Sequence, residues 1–318
     1  MADFNLYIGY MEDFLDTKKP VSFPQLKSTQ QKDLVKVEGT TDNILHYVNY
    51  SLQLSASRRF PFFTASNIDG KLFRKAPRKD AWRRDERINN EFQWGTELYS
   101  AAMSNFDKGH MTKREDVQWG DSIAFASLAA DSTFYYTNAV PQHAELNQQI
   151  WRSLEDYILH TETTENDLKI CVLTGPVMNK LDPFFVTEVK GVSIQLPVLF
   201  WKIVYFRKKK DGKIYRVGFL MGQSSLFFEN GIAEEAVLEA TPTEEDQLFM
   251  EFDKAETYQV NVGTIEKLSG LTFANAEEPF RDKRKIPLIL HEVDVRESLN
   301  EAADPYTQLG FKIGGLEI

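Results

Sequence analysis

Five histidines, His46, His110, His143, His160 and His291, are the chain's candidate bases near neutral pH, because an unperturbed imidazole titrates at about 6.5. His110 stands apart by its neighbours in Phe106-Asp107-Lys108-Gly109-His110-Met111. Lys108 and Asp107 offer phosphate contact and orientation. Gly109 permits unusual backbone angles and close approach of a substrate. Farther on, Asn147, Trp151 and Glu155 lie at i, i+4 and i+8, which puts them on one face of a helix. That face holds an amide oxygen and a carboxylate, hard donors suited to a Mg2+ ion that keeps several waters. The spacing fits an ordinary helix with a buried Trp equally well. A basic run from Lys71 to Arg87 contains Arg74, Lys75, Arg78, Lys79, Arg83 and Arg84 against Asp80, Asp85 and Glu86. Taken alone, such a run reads as a solvated face.

The elements that must position these residues mix strands and helices. Phe60 to Ala65 reads as a strand, Asp69-Gly70 as a turn, and Leu72 to Arg74 as its partner strand. Leu146, Ile150, Trp151, Leu154 and Ile158 recur at helical spacing, so Gln142 to Leu159 reads as a helix with Pro141 at its start. Leu168 to Leu173 is a buried strand ended by Thr174-Gly175-Pro176. Leu199–Arg207 and Ile214–Met221 flank an Asp211-Gly212 turn as a long hairpin. Val262 to Leu268 is a helix closed by Ser269-Gly270. Asp42 to Leu54 fits either a short helix or a strand. Strands therefore precede, surround and follow a central helix, which indicates an α+β fold. No glycine-rich phosphate loop is present.

Composition sets the outer limits. The chain has 318 residues, 42% hydrophobic and 26% charged, enough to bury a sizeable core. The longest apolar stretch, Leu196 to Phe206, is interrupted by Lys202 and too short for a membrane span. With Cys171 as the sole cysteine, an internal disulfide and a cysteine-based zinc site are excluded. No secretory signal is visible at Met1-Ala2-Asp3-Phe4, so a cytoplasmic location is expected, with leaderless secretion left open. A net charge of −10 argues against coating nucleic acid through bulk positive charge, but not against a local basic cleft.

Several motifs in order resemble the DNA/RNA non-specific endonucleases, the ββα-metal (His-Me finger) group. These are Asp107-Lys108-Gly109-His110, Thr137-Asn138-Ala139-Val140-Pro141-Gln142, and Asn147 through Trp151 to Leu154-Glu155. Thr174-Gly175-Pro176 and Pro197 with Phe200-Trp201-Lys202 add to the likeness, which covers roughly 58–275. The resemblance implies a central, mostly antiparallel sheet with the active-site helix packed on it. It implies His110 as the general base, Asn147 as the direct ligand of one Mg2+ (Mn2+ is an alternative), and Glu155 as the holder of a metal-bound water. Asn138 takes a supporting catalytic role. Arg78 matches the family's phosphate-contacting arginine, and Lys79, Arg83, Arg84, Lys113 and Arg114 are candidate substrate contacts. The implied substrates are DNA and RNA, cut to 5′-phosphate and 3′-hydroxyl ends.

Two departures bear on activity. Lys108 stands where the family usually has arginine, keeping charge but losing the planar fork. Leu159 stands where several members carry an arginine. An alternative reading is therefore a catalytically impaired nucleic-acid-binding protein on the same scaffold. The expected division is an N-terminal extension (1–57), a nuclease domain (58–276) and a C-terminal extension (277–318). The first extension is a candidate regulatory, partner-binding or homo-oligomer element, in keeping with a regulated defence or toxin effector. His143 and His160 are expected on the surface, and Cys171 in packing.

Overall fold

Runs rich in aromatic and β-branched residues build one large sheet. The computed structural model describes residues 6–144, 168–236, 241–252, 256–281, 286–287, 289–292 and 311–314. Its principal elements are β1 (Leu45–His46), β2 (Tyr50–Leu54), β3 (Pro61–Asp69), β4 (Asp107–His110), α1 (Ile123–Ser132), β5 (Ala139–Gln142), β6 (Lys169–Val177), β7 (Leu199–Arg207), β8 (Ile214–Gly222), β9 (Thr257–Val260), α2 (Val262–Ser269) and β10 (Ile286–Pro287). The main sheet has the order β10-β9-β8-β7-β6-β3-β2-β1. Each neighbouring pair in it is antiparallel. The fold is thus α+β with an antiparallel core sheet. The helix expected over Gln142 to Leu159 falls almost wholly outside the described residues, with Asn147, Glu155 and His160.

The central strands β3, β6 and β7 are buried along nearly their whole length. Both faces are covered, so they read as continuous apolar runs instead of alternating ones. The β7–β8 hairpin forms as expected, with Arg207 opposite Ile214 and Gly212 at φ 68° in the turn. The helix α2 ends where expected, on Gly270 at φ 67°.

Four boundaries differ from the expectations. Residues 45–54, placed in an N-terminal extension, are strands of the main sheet, and Tyr47 and Tyr50 are wholly buried. That segment belongs to the same folded unit as β3. Leu72 to Arg74 is no partner strand. Asp69 instead accepts bonds from the backbone N–H groups of Lys71 and Leu72, capping a short 3-10 turn. The strand β6 runs through Thr174-Gly175-Pro176 to Val177. At the C-terminal side, Phe280 is buried and Ile286–Pro287 pairs with β9, so residues just beyond 276 join the sheet.

Gly175 shows why the strand can continue. A methyl group there would lie 2.5 Å from the Phe62 carbonyl oxygen and 2.8 Å from the Trp201 ring. Backbone and indole cannot both yield, so Gly175→Ala should destabilise the protein by about 1–3 kcal/mol. A urea titration with unchanged midpoint would contradict that packing.

Two cores result. The larger includes Met111 and Val140 with the central strands. The smaller gathers Tyr47, Tyr50, Val117 and Tyr135 against Ala129 of α1. The residues around His110 and Asn138 are pinned by both.

Candidate active site

His110 ends β4, which pairs with β5 so that His110 faces Ala139 and Asp107 faces Gln142. The pairing is continued by a side chain. Asn138 is fully buried, and its Oδ1 accepts from the Thr112 N–H at 2.9 Å. Its Nδ2 donates to the carbonyls of Thr112 at 3.0 Å and Thr133 at 3.1 Å. Its own carbonyl accepts from the Met111 N–H at 2.9 Å. Asn138 therefore clamps the backbone just after His110 and ties it to the end of α1. The resemblance gave Asn138 a supporting role, and these bonds supply a physical form for it.

Gly109 has a different reason from the one expected. It does not carry positive φ among the described residues. A Cβ there would sit 2.2 Å from Gln142 Oε1, so the glycine makes room for the Gln142 side chain. Gln142 is buried, and neither of its amide atoms has a partner among the described residues.

The His110 ring packs 4.7 Å from Trp82 and edge-on at 5.0 Å to Phe134. Its Nε2 is shielded and has no hydrogen-bond partner among the described residues. Burial pushes its pKa down to about 4, with Glu115 opposing and Arg78 reinforcing the shift. A neutral imidazole with a nitrogen not engaged by another group is in the protonation state of a base. Lys108 reaches from β4 over the Tyr99 ring at 5.6 Å and toward Trp82 at 5.9 Å.

The lowered pKa has a thermodynamic sign. In the unfolded chain His110 takes a proton near pH 6.5, but in the folded chain only near 4. Between these values the unfolded state binds more protons, so acid favours unfolding. The stability is fully present above about 6.5 and is lost as pH falls toward 4. Between pH 7 and 4.5 the wild type should lose about 2–3 kcal/mol more than His110→Asn. Parallel urea titrations of the two proteins at both pH values check this; equal losses contradict it.

The expected substrate cations divide. Arg78 is exposed and bonds Asp80 through Nε at 2.7 Å, and Lys79 is exposed beside it. Both remain accessible on the stretch leading to Trp82. Three others are committed internally. Arg114 is buried, donating to the Ala76 and Pro77 carbonyls at 2.8 Å each, which lie outside any strand. Arg83 lies 4.1 Å over the Tyr135 ring and donates to the Asp131 carbonyl at 3.0 Å. Arg84 pairs with Glu97 and donates to the Asn90 carbonyl. These three hold the site's walls: Arg114 is buried, while Arg83 and Arg84 are half-buried. Lys113 is half-buried beside Glu115 and helps lower that carboxyl's pKa, although burial opposes it.

His143, expected on the surface, is buried; its N–H donates to Gln223 Oε1 at 3.0 Å. Cys171 is buried in β6 as expected.

One network was missed. The buried carboxylate of Asp85 takes Arg87 Nε at 2.9 Å and Nη2 at 2.6 Å. It also accepts from the Tyr47 hydroxyl at 2.7 Å, and that hydroxyl lies 2.6 Å from Thr137 Oγ1. Tyr47, between β1 and β2, thus braces the residue before Asn138. The sequence signal was an acid inside a basic run, which charge counting treats as dilution.

Asn147 and Glu155 lie outside the described residues, and among the described ones no group of three His, Cys, Asp or Glu side chains can hold a metal. The donor chemistry of Asn147 and Glu155, oxygen only, suits a hard divalent cation. No helix among the described residues is long and apolar enough to cross a membrane.

Comparison with known proteins places this geometry. The Sinorhizobium fredii protein y4fB, which is uncharacterized, is 32% identical over 276 residues, covering 84% of this chain and 39% of that protein. The zebrafish mitochondrial nuclease EXOG is 27% identical over 239 residues, covering 71% of this chain and 59% of that protein. The chain therefore spans less than two thirds of either relative. A chain from the crystal structure of the EndoG/EndoGI complex superposes with a TM-score of 0.50 at 20% identity, covering 74% of this chain and 86% of that one. At that identity the likeness concerns the fold. A model of the family described as DNA/RNA non-specific endonuclease matches residues 30–280. The match starts well before residue 58, in accord with the strands at 45–54. The chain belongs to the DNA/RNA non-specific endonuclease family.

Proposed function

We infer that this protein is a metal-dependent endonuclease that hydrolyses phosphodiester bonds of DNA and RNA. The observation carrying this reading is His110: a neutral imidazole whose Nε2 has no hydrogen-bond partner among the described residues, on a strand pair clamped by Asn138.

In the reaction, Nε2 of His110 takes a proton from a water as its oxygen bonds to phosphorus. The bond from phosphorus to the 3′ oxygen breaks, and that oxygen leaves to take a proton from solvent. The products carry 5′-phosphate and 3′-hydroxyl ends. Burial keeps His110 unprotonated and ready to accept. Trp82 and Phe134 pack against the ring and fix its orientation. Arg78 meets the phosphate oxygens, and its guanidinium fork suits the charge that builds there. Lys108, held near two aromatic faces, adds positive charge without the fork. Asn147 and Glu155 would hold a Mg2+ or Mn2+ ion, which when bound offsets negative charge on the phosphate and on the leaving oxygen.

The test is cleavage of supercoiled plasmid and of RNA by purified protein, with Mg2+ and with EDTA, followed by end labelling. Cutting of both polymers that EDTA stops, leaving 5′-phosphate ends, supports the reading. Cutting that survives EDTA removes the metal from it. Intact substrates under every divalent ion tried favour the impaired-scaffold alternative.

A further inference from the structure

The tip of the β7–β8 hairpin is the second strongly basic feature of an acidic chain. Residues 207–213 read Arg-Lys-Lys-Lys-Asp-Gly-Lys in a protein of net charge −10. The lone carboxylate there, Asp211, is already engaged by the Lys213 N–H and the Tyr215 hydroxyl. Lys209, Lys210 and Lys213 are exposed, and Lys208 extends 4.3 Å over the Tyr215 ring. Neighbouring segments add to the charge. Asp16 approaches Arg207 at 4.0 Å, which brings the exposed Lys18-Lys19 turn alongside. A cleft of about 420 Å³ lies between Lys19, Lys213, Glu277 and Arg281, three cations around one carboxylate.

The position of this tip relates it to the site. At the other end of β8, Gln223 donates to the Pro141 carbonyl and accepts from the His143 N–H. The strand pair that carries His110 therefore meets β8 at the end opposite the lysines. Nine residues of β8 separate the two ends, about 27 Å at the usual strand rise. Along duplex DNA that length corresponds to about 8 base pairs, with a negative charge every 1.7 Å or so.

We propose that the β7–β8 hairpin tip is a nucleic-acid anchor that grips substrate phosphates away from the scissile bond. The inference rests on the nuclease reading and adds a length dependence to it. Substrates long enough to reach from the His110 strand pair to the tip gain affinity, and shorter ones do not. An anionic membrane is the weaker occupant. The exposed large apolar residues among those described are Leu6, Ile8, Met103, Ile123, Phe184, Val186 and Met250, none of them in the tip to insert among lipids.

The test uses the full chain with Lys208, Lys209 and Lys210 all changed to Gln. Affinity for a duplex of about 30 base pairs is measured in EDTA between about 50 and 200 mM salt. Cleavage of that duplex and of a trinucleotide is then measured with Mg2+. The anchor predicts a salt slope shallower by about two to three and weaker duplex binding. It also predicts slower duplex cleavage at low substrate and unchanged trinucleotide cleavage. An unchanged slope and affinity overturn the anchor while leaving the nuclease reading intact. Equal losses on both substrates overturn it too, since the tip would then act through the fold. So does loss of binding to phosphatidylserine vesicles with DNA affinity unchanged. A wild type that cuts neither substrate refutes the nuclease reading, and the EDTA binding data still decide the anchor.

Discussion

His110→Ala lowers phosphodiester cleavage by about 100- to 10,000-fold, the range expected for removing a positioned general base. On the proposed mechanism the effect falls on turnover, with His110 Nε2 acting on the attacking water and Arg78 and Lys79 holding the phosphates. Fold should survive the change. The backbone around His110 is held by the β4–β5 pairing and by Asn138, none of which uses the imidazole. The cost is the lost ring contact with Trp82 and Phe134, so cooperative melting should persist. Plasmid cleavage and thermal melts on the same preparation separate the two effects. Loss of cleavage with loss of cooperative melting would assign His110 to the fold instead.

Asp85→Ala has the largest expected effect on stability. Its carboxylate is fully buried and accepts from Arg87, which is itself largely buried, and from the Tyr47 hydroxyl. Truncation removes, in the interior, the acceptor of the Arg87 Nε and Nη2 groups and one of the two hydroxyl partners of Tyr47. Breaking a buried pair by removing one partner typically costs about 3–5 kcal/mol. Asp85→Asn retains a carbonyl oxygen for Tyr47 and should cost less. Because Tyr47 also touches Thr137, the Asn variant should reduce cleavage as well, through the short 3-10 turn Tyr136–Asn138 that carries both Thr137 and Asn138. Urea titration and cleavage assays of both variants check this, and an Asp85→Ala protein as stable as wild type removes the network from the account.

Much of the fold was legible where the signal was local. Asp211-Gly212 between two apolar runs marked the hairpin, and Gly270 marked the end of α2. The His110 and Asn138 motifs were legible as motifs. Their connection was not, because the clamp spans 26 residues from Asn138 to Thr112. Residues 45–54 were hard to place because both faces of β2 are buried, polar Ser51 and Gln53 included, so the usual alternation is absent. Arg114 was hard to place because charge suggests a surface, whereas its Nη2 donates to the Ala76 and Pro77 carbonyls inside. His143 misled for the same kind of reason: its backbone partner, Gln223, lies 80 residues away. Local composition reports which elements form, but a buried charge is decided by partners that only the fold brings near.

The central claim, that His110 supplies the base, is tested most directly by chemical rescue. Cleavage by His110→Ala is measured with added imidazole, below and above imidazole's own pKa. The account predicts a rate that starts far below wild type and rises with the concentration of neutral imidazole as it occupies the space beside Trp82 and Phe134. Wild-type cleavage by His110→Ala without imidazole would contradict it outright.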